Sequence, residues 1–278
     1  MAQDCRVSDA MTAPTSPGSD DRTQGWIRAE VLIVLGISLG QSAIYSILSI
    51  ADRLTQQKAL NQQSSQLNTS VTPDRPWLDL SYQLVDIAFP LVPVVLVLYL
   101  LWLHNPAGSR HPGRLIGFDL RRPGFDIGLG ALTALCIGVP GLGLYLGARA
   151  LGLNTQVQAS NLADNWWTIP VLVLSAAENA ILEEVIMLGF LYTRLRQLTW
   201  RGANLAWPVI IIVSALIRGS YHLYQGFGGF AGNLIMGVIF GLIYLKWKRV
   251  MPLVVTHTLL DISAFVGYSL LAPHVSWL

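Results

Sequence analysis

Four polar side chains, three of them carboxyl groups that could take part in acid–base chemistry, lie close together in one apolar stretch, Ser175 to Arg196. They are Glu178, Asn179, Glu183 and Glu184. The stretch is predicted to be a membrane-spanning helix, in which a central charge costs roughly 2.5–3.5 kcal/mol on insertion scales. A chain that carries three carboxyl groups at this depth is expected to use them.

Pairs of polar residues spaced four positions apart occur on three apolar segments, and residues at this spacing share one face of a helix. The pairs are Asn179 with Glu183, Arg218 with His222, and His257 with Asp261. Polar groups within hydrocarbon must satisfy one another, so these faces are expected to turn inward around a shared site. Glu184 lies about 100° around the helix from Glu183 and is free to hold a structural partner.

Carboxylates and imidazoles in one cluster can catalyse hydrolysis by acid–base chemistry, or they can bind a metal ion such as zinc. If a metal is bound, the candidate ligands are Glu183, His222 and His257, although the chain has no HExxH motif. Simpler structural interpretations also stand. Arg218 could serve only to neutralise a carboxylate, and His257 with Asp261 could serve only as a clamp between helices.

The composition is that of a polytopic membrane protein. Hydrophobic residues make up 53% of the 278 residues and charged residues 12%, about half the charged fraction of a soluble domain. The mean hydropathy is +0.49. The net charge of +2 is too small to indicate a nucleic-acid partner, so the expected partners are the lipid bilayer and a substrate within it.

The predicted fold is an all-α membrane bundle of about seven transmembrane helices. The predicted spans are Trp26–Ile50, Leu84–Leu103, Ile127–Ala148, Ile169–Tyr192, Leu205–Leu223, Phe230–Leu245 and Met251–Leu271. Residues 1–25, rich in Ser, Thr, Asp, Pro and Gly, are expected to be a disordered cytoplasmic tail. Residues 26–148 then form three N-terminal spans with their loops, and residues 149–278 form the catalytic core of four spans.

The distribution of basic residues predicts the orientation. With the N-terminus inside, thirteen Lys and Arg residues fall in cytoplasmic segments and four in outer segments. Basic residues are enriched on the cytoplasmic side of membrane proteins. We therefore expect a multi-pass protein of the cell membrane with a cytoplasmic N-terminus and an extracytoplasmic C-terminus.

Three motifs resemble those of the CPBP family of intramembrane proteases, which includes the type II CAAX prenyl endopeptidases and bacterial bacteriocin-processing and immunity proteins. The family pattern is EExxxR on one span, FxxxH on the next and Hxxx(N/D) on a later one. It corresponds here to EEVIML from Glu183, RGSYH ending at His222, and HTLLD from His257 to Asp261. The resemblance covers about Ile169 to Gly267.

The resemblance implies specific roles. Glu183 would be the catalytic base, His222 would help it hold the nucleophilic water, and His257 with Asp261 would form the oxyanion side. Glu184 would be structural or supporting. Apart from the resemblance, the helix spacing makes Asn179 and Arg218 further candidates for supporting residues. A glutamate mechanism of this kind requires no cofactor.

Two positions depart from the family pattern. Leu188 stands where the family has Arg, and Arg218 stands where it has Phe. Since Leu188 follows Glu184 by four residues, the missing guanidinium would have faced Glu184. We therefore expect Arg218 to supply that charge from the neighbouring helix.

The resulting hypothesis is an endopeptidase that cuts a membrane-associated peptide or protein. An ion- or proton-coupled transporter that uses the same residues is the first alternative, and a non-catalytic immunity or scaffold protein is the second. Counting 1.5 Å of rise per residue along the predicted helices poses one difficulty. It places His222 nearer the outer face of the membrane than Glu183 or His257.

Overall fold

The computed structural model describes residues 17–105, 111–272 and 274, and within these ranges it is a helical bundle with two very small sheets. The helices are α1 (Pro17–Gly36), α2 (Leu39–Thr55), α3 (Pro76–Ala88), α4 (Leu91–Leu103), α5 (Pro112–Leu115), α6 (Pro123–Ala150), α7 (Thr168–Glu184), α8 (Leu191–Gln197), α9 (Trp207–Tyr221), α10 (Phe227–Trp247) and α11 (Met251–Leu271). The strands are β1 (Ser64–Thr69), β2 (Gln156–Asn161), β3 (Thr199–Trp200) and β4 (Ala203–Asn204). The chain is a helical membrane protein, as predicted, with the short strands as an addition.

Among the described residues, four helical segments are long and apolar enough to cross a membrane, or five if the bent pair α1 and α2 counts as one span. They are Pro76–Leu103, Pro123–Ala150, Phe227–Trp247 and Met251–Leu271. The predicted count of seven is not confirmed. α9, in the predicted fifth span, has only 15 residues, and α7, in the predicted fourth span, has 17 residues before the chain passes into a π-helical turn. At 1.5 Å per residue α9 is about 22 Å long, shorter than a hydrocarbon core of roughly 30 Å.

The first predicted span is two helices, not one. α1 and α2 meet at an angle of 54°, with the break at Ile37 and Ser38. The Ser38 hydroxyl donates to the carbonyl of Val34 at 2.6 Å, which satisfies one acceptor where α1 ends. α1 begins at Pro17, so residues 17–25 of the predicted disordered tail are helical. Residues 1–16 of that tail lie outside the described residues.

The later boundaries are closer to those predicted. The second span begins at Pro76 instead of Leu84 and is interrupted between α3 and α4 at Phe89 and Pro90, because proline has no N–H to donate within a helix. The last predicted span, Met251–Leu271, has the bounds of α11. The three-part division of the chain remains a prediction.

The centre of the bundle is one long helix interrupted by a π-helical turn. α7 leads into this turn, Val185–Phe190, which continues directly as α8. All six residues of the turn are buried in the main core. Such turns are frequently found at functional sites, and this one immediately follows Glu183 and Glu184.

The segments that link the helices gather at two ends of the bundle. At one end β1 pairs in parallel with β2, and Ser65 donates to the carbonyl of Tyr224 at 3.0 Å, just after α9. We call this the strand end. It joins the links that precede α3, α7 and α10, and these are the links that alternating helices would place on one side of a membrane.

At the other end, the links that precede α6 and α11 bind each other. Val250 N–H donates to the carbonyl of Ile116 at 3.0 Å, and the Arg249 guanidinium binds the carboxylates of Asp119 at 3.1 Å and Asp126 at 2.6 Å. We call this the arginine end. Burial by itself raises the pKa of Asp119, but the N–H of Arg121 and the Arg249 guanidinium outweigh it and leave that pKa below its usual value.

These contacts allow α11 to begin inside the bundle instead of at its outer limit. A Cβ placed on Gly189 would touch the Ile116 side chain, so the start of α11 is level with the π-helical turn. Gly189 precedes the end of α8 by eight residues, or about 12 Å. Non-helical backbone is tolerated at such depth when the protein satisfies its hydrogen bonds, as Ile116 and Val250 do.

Gly117 is the tightest point of this arrangement and provides a test of it. Its φ is +66°, and a Cβ there would lie 2.5 Å from the Arg249 Cα. We expect Gly117→Ala to lower the free energy of unfolding by about 1–3 kcal/mol, because it combines an unfavourable φ with a backbone clash. Denaturant unfolding of the purified protein in detergent measures the change.

The matched control is Gly128→Ala. Gly128 lies within α6, and a Cβ there meets no atom within 4 Å. Alanine is favoured over glycine in a helix by about 1 kcal/mol, so this variant should be as stable as the original or more so. Equal destabilisation by both substitutions would contradict the packing assigned to Gly117.

Candidate functional site

Three helices contribute the polar residues of the candidate site. Glu183 and Glu184 end α7, Arg218 and Tyr221 lie in the last turn of α9 with His222 directly after it, and His257 lies in the second turn of α11. The structure brings together all seven residues that the sequence singles out: Asn179, Glu183, Glu184, Arg218, His222, His257 and Asp261. Their functional roles remain predictions.

Arg218 binds both glutamates of the cluster. Its Nη2 donates to both oxygens of Glu184 at 2.7 Å, and its Nη1 donates to Glu183 Oε2 at 3.2 Å. The residue is 1% exposed, and its guanidinium lies 5.4 Å from the ring centre of Phe240. The expected contact with Glu184 is therefore present. The same cation also binds Glu183, a contact that the family pattern did not indicate.

Tyr221 is a member of the cluster that the sequence analysis missed. Its hydroxyl donates to Glu183 Oε2 at 2.7 Å, and the side chain is buried. The residue follows Arg218 by three positions and therefore shares its helix face, which is the signal that could have found it. Glu183 Oε2 thus accepts from two donors, Arg218 and Tyr221.

His257 connects the carboxylates of α7 with Asp261. Its Nδ1 lies 2.7 Å from Glu184 Oε1, and its Nε2 lies 3.6 Å from Asp261 Oδ2. Asn179 completes the chain of contacts, since its amide donates to the same Asp261 oxygen at 3.5 Å. The imidazole is therefore held from both sides in one orientation.

His222 and the second oxygen of Glu183 have free hydrogen-bonding capacity. Glu183 Oε1 lies 3.7 Å from His222 Nε2, too far for a direct hydrogen bond. Neither ring nitrogen of His222 has a hydrogen-bond partner among the described residues. A water molecule that binds both atoms fits this separation, because polar contacts beyond 3.5 Å are often bridged by water.

The difficulty with the depth of His222 is resolved by two features of the fold. Glu183 precedes the end of α8 by fourteen residues, and Tyr221 follows the start of α9 by fourteen, so both lie about 21 Å along their helices from the short link that joins α8 to α9. α11 begins deeper, beside the π-helical turn, and this brings His257 to the same level.

A metal ion fits these residues poorly. Ligand atoms of Glu183, Glu184 and His257 lie within 4.8 Å of one another, so the donor types and spacing could hold an ion. However, Arg218 already binds three of the four carboxylate oxygens, and its charge opposes a cation at the same place. His222, a candidate ligand from the sequence, is not part of this group.

Comparison with known proteins connects this cluster with one family. Residues 165–263, or 99 of the 278, match the family model described as Type II CAAX prenyl endopeptidase Rce1-like. Searches of curated proteins and of solved structures find no significant match. The matched segment runs from just before α7 to the fourth turn of α11 and contains every residue of the cluster. Over residues 165–263, about a third of its length, this chain is therefore similar to the Rce1-like type II CAAX prenyl endopeptidases.

Proposed function

We propose that this chain is an intramembrane endopeptidase that hydrolyses a peptide bond in a membrane-associated protein or peptide, with Glu183 as the base that activates water. The observation that carries the proposal is the asymmetry of the Glu183 carboxylate. Oε2 is bound by Arg218 and Tyr221, whereas Oε1 faces His222, whose ring nitrogens have no hydrogen-bond partner in the described part of the chain. One oxygen fixes the side chain and the other is left for the reaction.

In the proposed reaction, Glu183 Oε1 and His222 Nε2 hold the water between them. The water oxygen attacks the carbonyl carbon of the substrate, and Oε1 takes the proton that is released. When the tetrahedral intermediate collapses, the C–N bond breaks and Glu183 returns that proton to the leaving nitrogen. The products are a new carboxyl terminus and a new amine.

We assign His257 to stabilising the oxyanion of this intermediate. Its Nδ1 lies 2.7 Å from Glu184 Oε1 and 4.0 Å from Glu183 Oε2, so the ring lies beside the proposed base, and an imidazole N–H can donate to an oxyanion. An ionised carboxylate would repel an oxyanion, so we assign Asp261 to orienting His257, with Asn179 holding Asp261 in place. Glu184 anchors both His257 and Arg218.

We propose that no metal ion is required. In metal-dependent hydrolysis the ion supplies positive charge and activates water. Here Arg218 supplies the charge beside both glutamates, and Glu183 with His222 binds the water. For orientation, we propose that the arginine end faces the cytoplasm, because the basic residues that follow α8 and α10 lie there.

The first test replaces the proposed base while keeping its shape. Glu183→Gln retains an acceptor for Arg218 and Tyr221 but cannot take a proton, so cleavage should fall by a factor of about 10² or more. The measurement compares the N-termini of membrane proteins in cells that produce the original chain or Glu183→Gln at equal levels. A non-catalytic scaffold would give identical sets of N-terminal peptides for the original chain and for Glu183→Gln, and that result would contradict the proposal.

A second test moves the cation between helices. Arg218→Leu leaves two buried carboxylates without their common partner, which should cost about 3–5 kcal/mol and abolish cleavage. Adding Leu188→Arg returns a guanidinium to the face of Glu184 and should restore part of both stability and activity. Both quantities are measured on purified protein in detergent. Failure of Leu188→Arg to restore either one would show that Arg218 does not replace the family arginine.

A third test concerns the hydrogen bond from Tyr221. Tyr221→Phe removes one of two donors to Glu183 Oε2, and a hydrogen bond to a charged group is worth about 1.5–3 kcal/mol. We expect kcat to fall roughly tenfold or more with KM nearly unchanged, since 1.4 kcal/mol corresponds to a factor of ten. A substrate identified by the first test provides the assay.

Tyr244→Phe is the control for this variant. Tyr244 is another buried tyrosine of the same core, and no contact between its hydroxyl and the glutamates is present among the described residues. It should keep kcat within about twofold of the original, as expected for a substitution away from the reacting groups. If both variants lose activity equally, the effect belongs to core packing and not to the position of Glu183.

A further inference from the structure

A cleft of about 910 Å³ opens where both N-terminal helix pairs are broken. The break between α1 and α2 and the break between α3 and α4 form two of its walls, and α7 forms the third. Its lining residues are Ile37, Ser38, Gln41, Ser42, Val85, Asp86, Phe89, Pro90, Val92, Pro93, Glu178, Asn179 and Leu182. Ile37, Phe89 and Val92 are each at least half exposed, so the walls present apolar surface beside a few polar groups.

Two carboxyl groups in this cleft have no cationic partner among the residues that the structure describes. Glu178 is only 7% exposed, and its Oε1 accepts no hydrogen bond from any described residue. Asp86 is exposed on a span whose hydropathy reaches 2.5. No Lys, Arg or His is among the described residues that line the cleft. Carboxyl groups at such a depth are costly unless something pairs with them.

A structural role does not account for these two groups. Asp79, on the same helix as Asp86, shows what a structural carboxylate looks like here, since it accepts from the backbone of Val71 and Thr72 and from Ser70. Glu178 Oε1 has no such donors among the described residues. An acyl chain could fill the apolar part of the cleft, but it would leave both carboxyl groups unpaired.

The cleft adjoins the proposed catalytic cluster along α7. Asn179 lines the cleft and also donates to Asp261, and Leu182 lines it immediately before Glu183. Glu178 precedes Glu183 by five residues, or about 7.5 Å along the helix. An extended peptide advances about 3.3 Å per residue, so this distance corresponds to two or three substrate residues.

We propose that the cleft binds the substrate polypeptide next to the scissile bond, and that Glu178 and Asp86 select a lysine or arginine side chain within about three residues of that bond. The assignment rests on the proposed function, because it supplies the substrate class for the same catalytic cluster. A basic side chain suits both the apolar walls and the carboxyl groups of the cleft. Its aliphatic stem packs on the apolar walls, and its charged end pairs with the carboxylates.

A binding experiment tests the site without relying on catalysis. The probes are two fluorescent apolar dodecapeptides that differ only at the central residue, which is lysine in one and norleucine in the other. The protein is Glu183→Gln in detergent, with and without the further pair Glu178→Gln and Asp86→Asn. Comparing the ratio of the two Kd values between proteins cancels any difference in how the peptides partition into micelles.

We expect Glu183→Gln to bind the lysine peptide roughly tenfold more tightly than the norleucine peptide, as a charge-assisted hydrogen bond allows. Glu178→Gln with Asp86→Asn should abolish this preference without lowering thermal stability, because neither carboxyl group has an ion pair with a described residue to lose. Asp74→Asn, an exposed acid outside the cleft, is the control and should keep the preference. Equal binding of both peptides, no binding of either, or a preference that survives the double substitution would each overturn the proposal.

The cleavage sites themselves separate this proposal from the proposed function. Peptide ends that require Glu183 should carry Lys or Arg within three residues of the cut, and those cuts should decrease at least roughly tenfold in the Glu178→Gln, Asp86→Asn protein. Sites that require Glu183 but show no basic residue would overturn the cleft assignment and leave the endopeptidase intact. No site that requires Glu183 would instead overturn the endopeptidase, and the peptide-binding ratio would then decide the cleft alone.

Discussion

A single buried cation, Arg218, holds the centre of this protein together. It lies between two adjacent glutamates at 2.7 and 3.2 Å, with an aromatic ring beside it. Two like charges next to each other within a low-dielectric interior repel strongly, so the end of α7 can place Glu183 and Glu184 together only if a cation is shared between them. The depth of α9, the start of α11 and the direction of His257 all follow from the need to meet this group.

Meeting at one depth requires helices of unequal length and links that enter the bundle. α9 ends after 15 residues, at the level of Glu183, and α11 begins beside the π-helical turn and not at the end of α8. The link that makes this possible depends on Gly117, whose backbone lies against Arg249, and on the ion pairs of Arg249 with Asp119 and Asp126. The arginine end therefore helps to position His257, although it contains none of the proposed reacting groups.

The sequence was sufficient for the parts of the fold that depend on local periodicity. The bounds of α11, the three pairs spaced by four residues and the approach of Arg218 to Glu184 follow from helix geometry and from the cost of unpaired charge. Tyr221 was missed because a tyrosine in an apolar helix, unlike an unpaired charge, has no large free-energy cost that would mark it as needing a partner. The 54° bend at Ile37 and Ser38 and the short α9 were missed because hydropathy reports how apolar a segment is, not where its axis turns or how deep it ends.

The contrast between two places on α7 gives the strongest indication of how the protein meets its substrate. At Glu183 and Glu184 a permanent cation and a tyrosine hydroxyl compensate the carboxylates, so the protein itself satisfies the charges of the proposed reaction centre. Five residues earlier, Glu178 is as buried as Glu183 but has no cation beside it in the described cleft. A fold that places Arg218 so closely against one pair of acids could have balanced the other acid in the same way. That Glu178 is left unbalanced where the helices part is best explained if its partner arrives with the substrate.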